Sequence, residues 1–336
     1  MSVKKKVVMT GTLGTVLPEG LKLYESVLKS EVPDAEVEFL FDGPVPEDEF
    51  IARAKGATIM VNQFHKMTDS IYKALLPELK AFVASGIGTN AADVPVATAN
   101  GIMVCNVPDY CQDEVASHAA ALILACQRGL PALYRWIGDG KWGGGFNAMK
   151  PKKRFAGSTL GLYGFGRIPR DVTRMLSGFS LNIIAHDPYV PEEVFKQAGV
   201  TPVSFDQLIE ESDYISLHAP LTETNQEIFN ADVFKRMKPS ATFVNTARGG
   251  LVDAQALYDA LKNNEICMAA LDVFTVEPPV GIELEITKLP NALVTPHVAY
   301  YSEDALTDLL VKGAQEAARI LKGEMPKNLV NPEVLK

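Results

Sequence analysis

Cysteine, tryptophan and long apolar runs are scarce in this chain of 336 residues. There are four cysteines and two tryptophans, and aromatics make up 8% of the residues. Cys105, Cys111, Cys126 and Cys267 form no C-x-x-C pair, so no thiolate metal site or redox motif is expected. Their apolar settings predict reduced, buried thiols and a reducing compartment such as the cytoplasm. The longest apolar stretch, Ala119 to Cys126, is far short of the roughly 20 residues that span a bilayer. Three lysines near the start are not followed by an apolar segment, so no signal peptide is expected. No repeat of fixed period appears. Positive charge is also in short supply: the net charge is −9. That argues against nucleic acid as the main partner, because binding phosphate backbones needs clustered Lys and Arg. The two basic clusters, Lys4 to Lys6 and Lys150 to Arg154, read as solvated edges before strands.

What is present is a globular composition, 47% hydrophobic and 22% charged. The length suggests two domains, each able to bury its own core. In the first third, apolar runs at Val7–Met9, Val37–Phe41, Thr58–Val61, Lys80–Ala84 and Ile102–Cys105 alternate with helical patterns near Pro18–Ser30, Pro46–Lys55, Asp69–Leu76 and Ala92–Asn100. Such alternation predicts a parallel sheet covered on both faces.

A longer helix is expected from about Gln112 to Arg128. Asp113 and Glu114 lie in its first turn and Arg128 in its last, as the helix dipole favours. Val115, Ala119, Leu122 and Cys126 share a face. Gly129 reads as a C-cap with Pro131 just beyond. His118, inside this helix, has no partner nearby in sequence and reads as structural. Residues 131–157 are rich in glycine and aromatics (Trp136, Trp142, Gly143 to Gly145, Phe146). They read either as a loop over a site or as an arm reaching a second subunit.

Strand patterns resume at Thr159–Tyr163, Leu181–His186, Tyr214–His218, Thr242–Thr246, Cys267–Leu271 and Ala292–Thr295, predicting a second, larger α/β sheet. The tail from Ser302 to Lys322 is helical, with Leu306, Leu309, Leu310, Gly313 and Ala317 spaced for one face.

Between the first of these strands and a helix stands Gly164-Phe165-Gly166-Arg167-Ile168-Pro169. The first glycine permits a tight turn. The second lets the backbone approach a pyrophosphate, which then sits on a helix N-terminus where free N–H groups favour anions. Cofactor contacts are thus expected at Gly164, Gly166, Arg167 and Ile168. Pro169 stands where the fingerprint has Gly or Ala, and its ring is expected to widen the helix–strand contact. Asp187 ends the next strand at the spacing typical of the residue that takes the adenosine ribose hydroxyls. A carboxylate there repels a 2′-phosphate, so NAD is expected over NADP.

At this point the chain resembles the D-isomer-specific 2-hydroxyacid dehydrogenase family. The stretches that carry the resemblance are Gly86-Ile87-Gly88, Asn106-Val107-Pro108, the Gly164 turn with Asp187, Leu217 to Thr222, Val244 to Gly250, Ala270 to Phe274 with Glu277-Pro278, and Thr295-Pro296-His297. Within the family, Val107 to Cys111 and Tyr301 to Glu303 are similar to bacterial relatives of the C-terminal binding proteins.

The resemblance implies two Rossmann-like domains with a cleft between them. A flavodoxin-like substrate domain would comprise residues 1–106 with 299–336. A doubly wound NAD domain would comprise 107–298. It implies a homodimer joined through the NAD domains, with 131–157 contributing. It also implies catalytic roles for three residues. Arg248 would bind the substrate's carboxylate and carbonyl oxygen, His297 would be the general acid or base, and Glu277 would orient the imidazole. All three follow strand ends, where sites of open α/β sheets form. His218, Ala219, Pro220, Thr246 and Ala247 would contact NAD, and Asp272 would accept the nicotinamide amide, its alternative reading being a helix or loop cap. Ile87 and Gly88 would receive the substrate carboxylate, and Tyr300 would form a pocket wall. Glu277, where formate dehydrogenases of the family carry Gln, points to a hydroxyl–carbonyl pair that exchanges a proton.

Ala84-Ser85 stands where many members have an Arg, which disfavours phosphorylated or dicarboxylic substrates. Asn62, Gln63, Phe64 and His65 are candidate pocket residues. Asn90 replaces the usual Asp. The expected function is interconversion of a small 2-ketoacid and its D-2-hydroxyacid with NAD. The rival is an NADH-responsive, co-repressor-like binding protein with secondary dehydrogenase activity. Oxidation of an unusual inorganic or phosphonate donor also stays open.

Overall fold

A computed structural model describes residues 5–11, 18–40, 45–62, 65–148 and 153–336. Lys4, Phe41, Gln63, Phe64 and Lys150 to Lys152, singled out above, lie outside the described residues. The chain divides into two compact units, Met1–Cys111 with Ser302–Lys336, and Gln112–Tyr301. Both breaks fall a few residues later in the chain than the 106/107 and 298/299 boundaries expected from the sequence. The long helix marks the first break: it starts at Gln112 and belongs wholly to the second unit.

The first unit runs β1 (Lys6–Thr10), α1 (Pro18–Glu31), β2 (Glu36–Leu40), α2 (Glu47–Ala54), β3 (Ile59–Asn62), α3 (Asp69–Leu75), β4 (Ala81–Ala84), α4 (Val94–Ala99) and β5 (Met103–Cys105). Among the described residues these strands form one parallel sheet in the order β2-β1-β3-β4-β5, the flavodoxin-like arrangement. Every residue of β3 and β4 is buried, as expected of central strands covered on both faces. β2 is an edge strand, and its outward Glu36 and Glu38 blunt that edge against pairing with another chain. The helix expected over 92–100 is split. A 3-10 turn at Asn90–Ala92 gives way to α4 at Asp93, whose φ is +46°.

The second unit runs α5 (Gln112–Arg128), α6 (Leu130–Gly138), β6 (Thr159–Tyr163), α7 (Arg167–Leu176), β7 (Asn182–His186), α8 (Glu192–Gln197), β8 (Thr201–Pro202), α9 (Phe205–Glu211), β9 (Tyr214–Leu217), α10 (Ala231–Arg236), β10 (Thr242–Asn245), α11 (Ala254–Lys262), β11 (Met268–Leu271), α12 (Gly281–Thr287) and β12 (Ala292–Val294). Its parallel sheet has the order β12-β11-β10-β9-β6-β7-β8, a Rossmann-type double winding. The chain reverses its direction of winding between β6 and β9, and both strands end at the same edge. One apolar cluster, including Phe229, Phe234 and Phe243, covers one face of the sheet. A second cluster joins the buried face of α5 to Leu160, Leu162 and Val172. The four cysteines are buried, and none is in a disulfide. Among the described residues, no helix is long and apolar enough to cross a membrane.

Gly129 does more than end α5. It sits at φ +64° and is also the N-cap of α6, with Pro131 in that helix's first turn. Pro131 was read above as a helix terminator. It is a helix starter, because a first-turn proline gives up an N–H that has no partner there anyway. The loop expected over 131–157 therefore begins as a helix, and it leaves Leu130, Tyr134 and Ile137 exposed.

The C-terminal helix α13 (Glu303–Leu321) returns to the first unit and packs on α1. Ser302 caps it, its Oγ accepting the Ala305 N–H at 2.9 Å, an interaction typically worth about 1 kcal/mol. Beyond it, Asn331 is fully buried. Its Oδ1 accepts the Val104 N–H at 2.8 Å, and its Nδ2 donates to Thr98 Oγ1 and Ile102 O.

Candidate functional site

The glycine turn after β6 has the form its sequence requires. Gly164 is buried at φ +92°. A Cβ built there would fall 2.7 Å from the Ala219 nitrogen, so the turn after β6 lies directly against the turn after β9. Gly166, the N-cap of α7, faces open space, and nothing lies within 4 Å of its Cβ position. Arg167 and Ile168 open the helix. Pro169 is its third residue and is buried. It removes one first-turn donor and leaves the two ahead of it. Asp187, just past β7, is tied to this turn: its Oδ2 accepts the Phe165 N–H at 2.8 Å and its Oδ1 the Tyr189 N–H at 3.0 Å.

Two polar atoms at this strand edge are buried without a hydrogen-bond partner in the protein, His218 Nε2 after β9 and Thr246 Oγ1 after β10. Burial pushes the His218 imidazole down to about 3, so it is neutral at ordinary pH. A helix N-terminus that opens on a glycine turn, a carboxylate at the next strand end and these two polar atoms suit a dinucleotide, and the residues present fit NAD.

Arg248 lies three residues past β10. Asn245 shapes the turn before it: its Oδ1 accepts the Ala247 N–H and its Nδ2 donates to the Arg248 carbonyl, both at 2.9 Å. The next residue, Gly249, packs on the backbone of Phe274 and Thr275. The Arg248 loop and the Glu277 loop are thereby in direct contact.

Glu277 and His297 meet. Glu277 Oε2 is 2.6 Å from His297 Nδ1, with the two side chains 35% and 47% exposed. The other carboxylate oxygen accepts the Phe274 N–H at 3.0 Å. Burial works to raise the Glu277 carboxyl. The hydrogen bonds from His297 and Phe274, with the positive charges of His297 and Arg248, outweigh it and hold the group below its usual range. His297 itself has a left-handed backbone, φ +51°, which costs a non-glycine residue energy unless its surroundings enforce it. Its N–H is shared between the carbonyls of Asp272 and Thr295, at 2.8 and 3.1 Å. The Tyr300 ring lies 6.2 Å from the imidazole.

Asp272 was expected to face the nicotinamide. In the structure its carboxylate holds the His297 loop. It is 1% exposed and accepts three donors of the His297 loop: Thr295 Oγ1 at 2.5 Å, Val298 N–H at 3.0 Å and Ala299 N–H at 3.0 Å. A buried carboxylate is held by the donors that converge on it, and here all three belong to the loop it anchors. His118, which had no evident partner in the sequence, joins this group. Its Nε2 is 3.1 Å from Thr295 Oγ1. Since that hydroxyl donates to Asp272, the imidazole is the donor. Asn245, Thr295 and Glu283, another buried carboxylate, were not singled out for such roles. Asn245 and Glu283 act on backbone groups of nearby turns, and Thr295 links the Asp272 carboxylate to the His118 ring.

Ile87 and Gly88 follow β4 in the first unit, the former half-buried and the latter exposed. Asn62 ends β3, and its Nδ2 donates to the His65 carbonyl. His65 stacks on Phe50 with ring centroids 3.9 Å apart. Among the described residues, no cluster of His, Cys, Asp and Glu could hold a metal ion.

Comparison with known proteins agrees with this geometry. Residues 120–299 match the model described as D-isomer specific 2-hydroxyacid dehydrogenase, NAD binding domain. The chain is 35% identical over 296 residues to a glyoxylate reductase of Korarchaeum cryptofilum, covering 88% of this chain and 89% of that protein. It is 36% identical over 317 residues to a D-3-phosphoglycerate dehydrogenase of Methanocaldococcus jannaschii, covering 92% of this chain and 58% of that protein. The chain spans about half the length of the curated phosphoglycerate dehydrogenases it matches. Among solved structures, TP0037 of Treponema pallidum, a D-lactate dehydrogenase, superposes with a TM-score of 0.79 at 27% identity, over 97% of this chain and 99% of that one. The chain belongs to the D-isomer specific 2-hydroxyacid dehydrogenase family and carries its NAD-binding domain.

Proposed function

We propose that the chain reduces a small 2-ketoacid to its D-2-hydroxyacid with NADH, and runs the reverse oxidation with NAD. The observation that carries this reading is the 2.6 Å contact between Glu277 and His297, with the charge of Arg248 acting on the same carboxylate. The dinucleotide, when bound, supplies or takes up the hydride at the carbonyl carbon. Arg248 holds the substrate carboxylate and carbonyl oxygen with its planar fork and polarises the C=O bond. His297 delivers a proton from Nε2 to the forming alkoxide, which balances the hydride gained at carbon. Glu277, bonded to Nδ1, fixes the ring, and a general acid so positioned is typically worth about 10²- to 10⁴-fold. Asp187 takes the adenosine ribose hydroxyls, and His218, Ala219, Pro220, Thr246 and Ala247 line the cofactor's path. Ile87 and Gly88 receive the substrate carboxylate through backbone amides.

Relatives are named for glyoxylate, hydroxypyruvate and phosphoglycerate. Ala84 and Ser85 in place of an arginine favour the smaller, unphosphorylated acids. The exposed apolar side chains of α6 and the segment after it, Tyr134, Ile137, Trp142 and Phe146, form the contact of a homodimer.

The test is NADH oxidation against glyoxylate, pyruvate, hydroxypyruvate, phenylpyruvate, branched-chain ketoacids and oxaloacetate, with His297→Ala as control. Turnover of one acid, lost in the variant, supports the reading. Tight NADH binding without turnover favours the co-repressor-like alternative or a substrate outside the panel.

A further inference from the structure

We infer that Glu283 is a positioning residue for the reacting pair: its carboxylate fixes the turn that presents Glu277 to His297. The inference rests on the acid–base reading above. Glu283 sits in the first turn of α12 and is 7% exposed. Its Oε1 accepts the Thr275 N–H at 2.7 Å and its Oε2 accepts the Val276 N–H at 3.2 Å. These are the two amides immediately before Glu277. The amide before them, Phe274 N–H, bonds to Glu277 Oε1, which leaves Oε2 for His297. Three consecutive amides therefore divide between two carboxylates, and the division sets where Glu277 points.

Residues 273–280 have no helix or strand to define their path. Thr275 and Val276 are exposed residues, so without Glu283 their amides would turn to water and the turn would relax. An anionic acceptor binds two converging N–H groups more strongly than a neutral one. The turn rests on its other side against the Arg248 loop, where Gly249 meets the backbone of Phe274. Glu283, Asn245, Gly249 and Phe274 line one cavity. Glu283 thus braces a turn that two of the proposed reacting side chains share. Among the described residues, the charge of Arg248 acts on the Glu277–His297 pair and the Tyr300 ring lies beside the imidazole. Asp272 contributes its backbone carbonyl to the His297 amide.

The experiment uses the ketoacid of the panel above that the native protein turns over best. It compares Glu283→Gln, Glu283→Ala and Glu277→Gln by kcat, KM, NADH Kd from fluorescence, and the pH above which reduction fails. Gln at 283 keeps the shape but turns an NH2 group towards a backbone N–H, so it disrupts the turn without opening a hole. The expected result is a kcat lower by about 10- to 100-fold in Glu283→Gln, the scale at which small misplacements act. The pH limit should move down, in the same direction as in Glu277→Gln, with NADH Kd changed less than about twofold. Glu283→Ala should do the same wherever it folds. An unmoved kcat and pH limit in Glu283→Gln, with Glu277→Gln shifted, overturns the positioning role alone. An unmoved limit in Glu277→Gln overturns the acid–base reading and this inference with it.

Discussion

Gly249 touches Phe274 so closely that a Cβ on the glycine would lie 2.0 Å from the Phe274 carbonyl carbon. The residue after Arg248 can therefore only be glycine while the next loop keeps its place. Backbone cannot swing aside as a flexible side chain can. Gly249→Ala should destabilise the second unit by about 3 kcal/mol or more, at the upper end of overpacking costs. Thermal denaturation checks the cost. The same variant should lose turnover before it loses its fold.

Arg248→Lys keeps the charge but not the planar fork. The variant should lower kcat/KM for the ketoacid by about 10²- to 10³-fold, the cost of removing one preorganised donor to a developing oxyanion. Steady-state kinetics at saturating NADH reads this. A change in KM alone would reduce Arg248 to a docking group.

On the proposed reading, Asp187 sets the cofactor preference. NADH should support turnover well beyond NADPH at equal concentration, because a carboxylate at that strand end repels a 2′-phosphate. Asp187→Ser should narrow the gap. It should also loosen the Phe165 and Tyr189 amides that the carboxylate now holds, so some affinity for NADH should be lost as well.

His218 makes stability depend on pH. Its imidazole resists protonation down to about 3 in the folded chain, against about 6.5 when unfolded. Between those values the unfolded chain binds a proton that the folded chain refuses. Stability is therefore highest above about 6.5 and declines as pH falls towards 3. Glu277 acts on the same side: its carboxyl is held low, so what its pairing contributes is present above the ordinary carboxylate range and lost as pH falls through it. His218→Asn should flatten the decline in the upper part of this window. Denaturant melts across the acid range would show it.

The proposed dimer predicts that Tyr134→Lys with Ile137→Lys yields a soluble monomer. Light scattering after size-exclusion chromatography distinguishes the two states. A native chain that is already monomeric removes the contact.

Much of this was readable before any coordinates. Strands alternate with helices, and central parallel strands such as Tyr214–Leu217 and Met268–Leu271 are uniformly apolar or small, so their positions are legible to within a residue. The two sheets and the glycine turn followed from that alternation. The helix α6 was missed because Pro131 after Gly129 signals a stop as readily as a start, and only packing decides between them. The bracing groups were invisible for a different reason. Asp272 and Glu283 act on amides of Val298, Ala299, Thr275 and Val276, and an amide leaves no mark in the sequence. His118 and Thr295 are far apart along the chain, and their contact exists only once β12 lies beside β11.

The return of α13 and Asn331 to the first unit has a bearing on the order in which the molecule is made. A ribosome releases β1 to β5 before the second unit, yet the groups that close their sheet, including the side chain that takes the Val104 amide, emerge after it. The second unit is continuous and can complete itself while the tail is still being synthesised. The first unit must wait, without the helix that packs on α1, through the translation of nearly two hundred intervening residues. That interval, rather than the finished fold, is where this chain is most open to aggregation or to assistance by a chaperone.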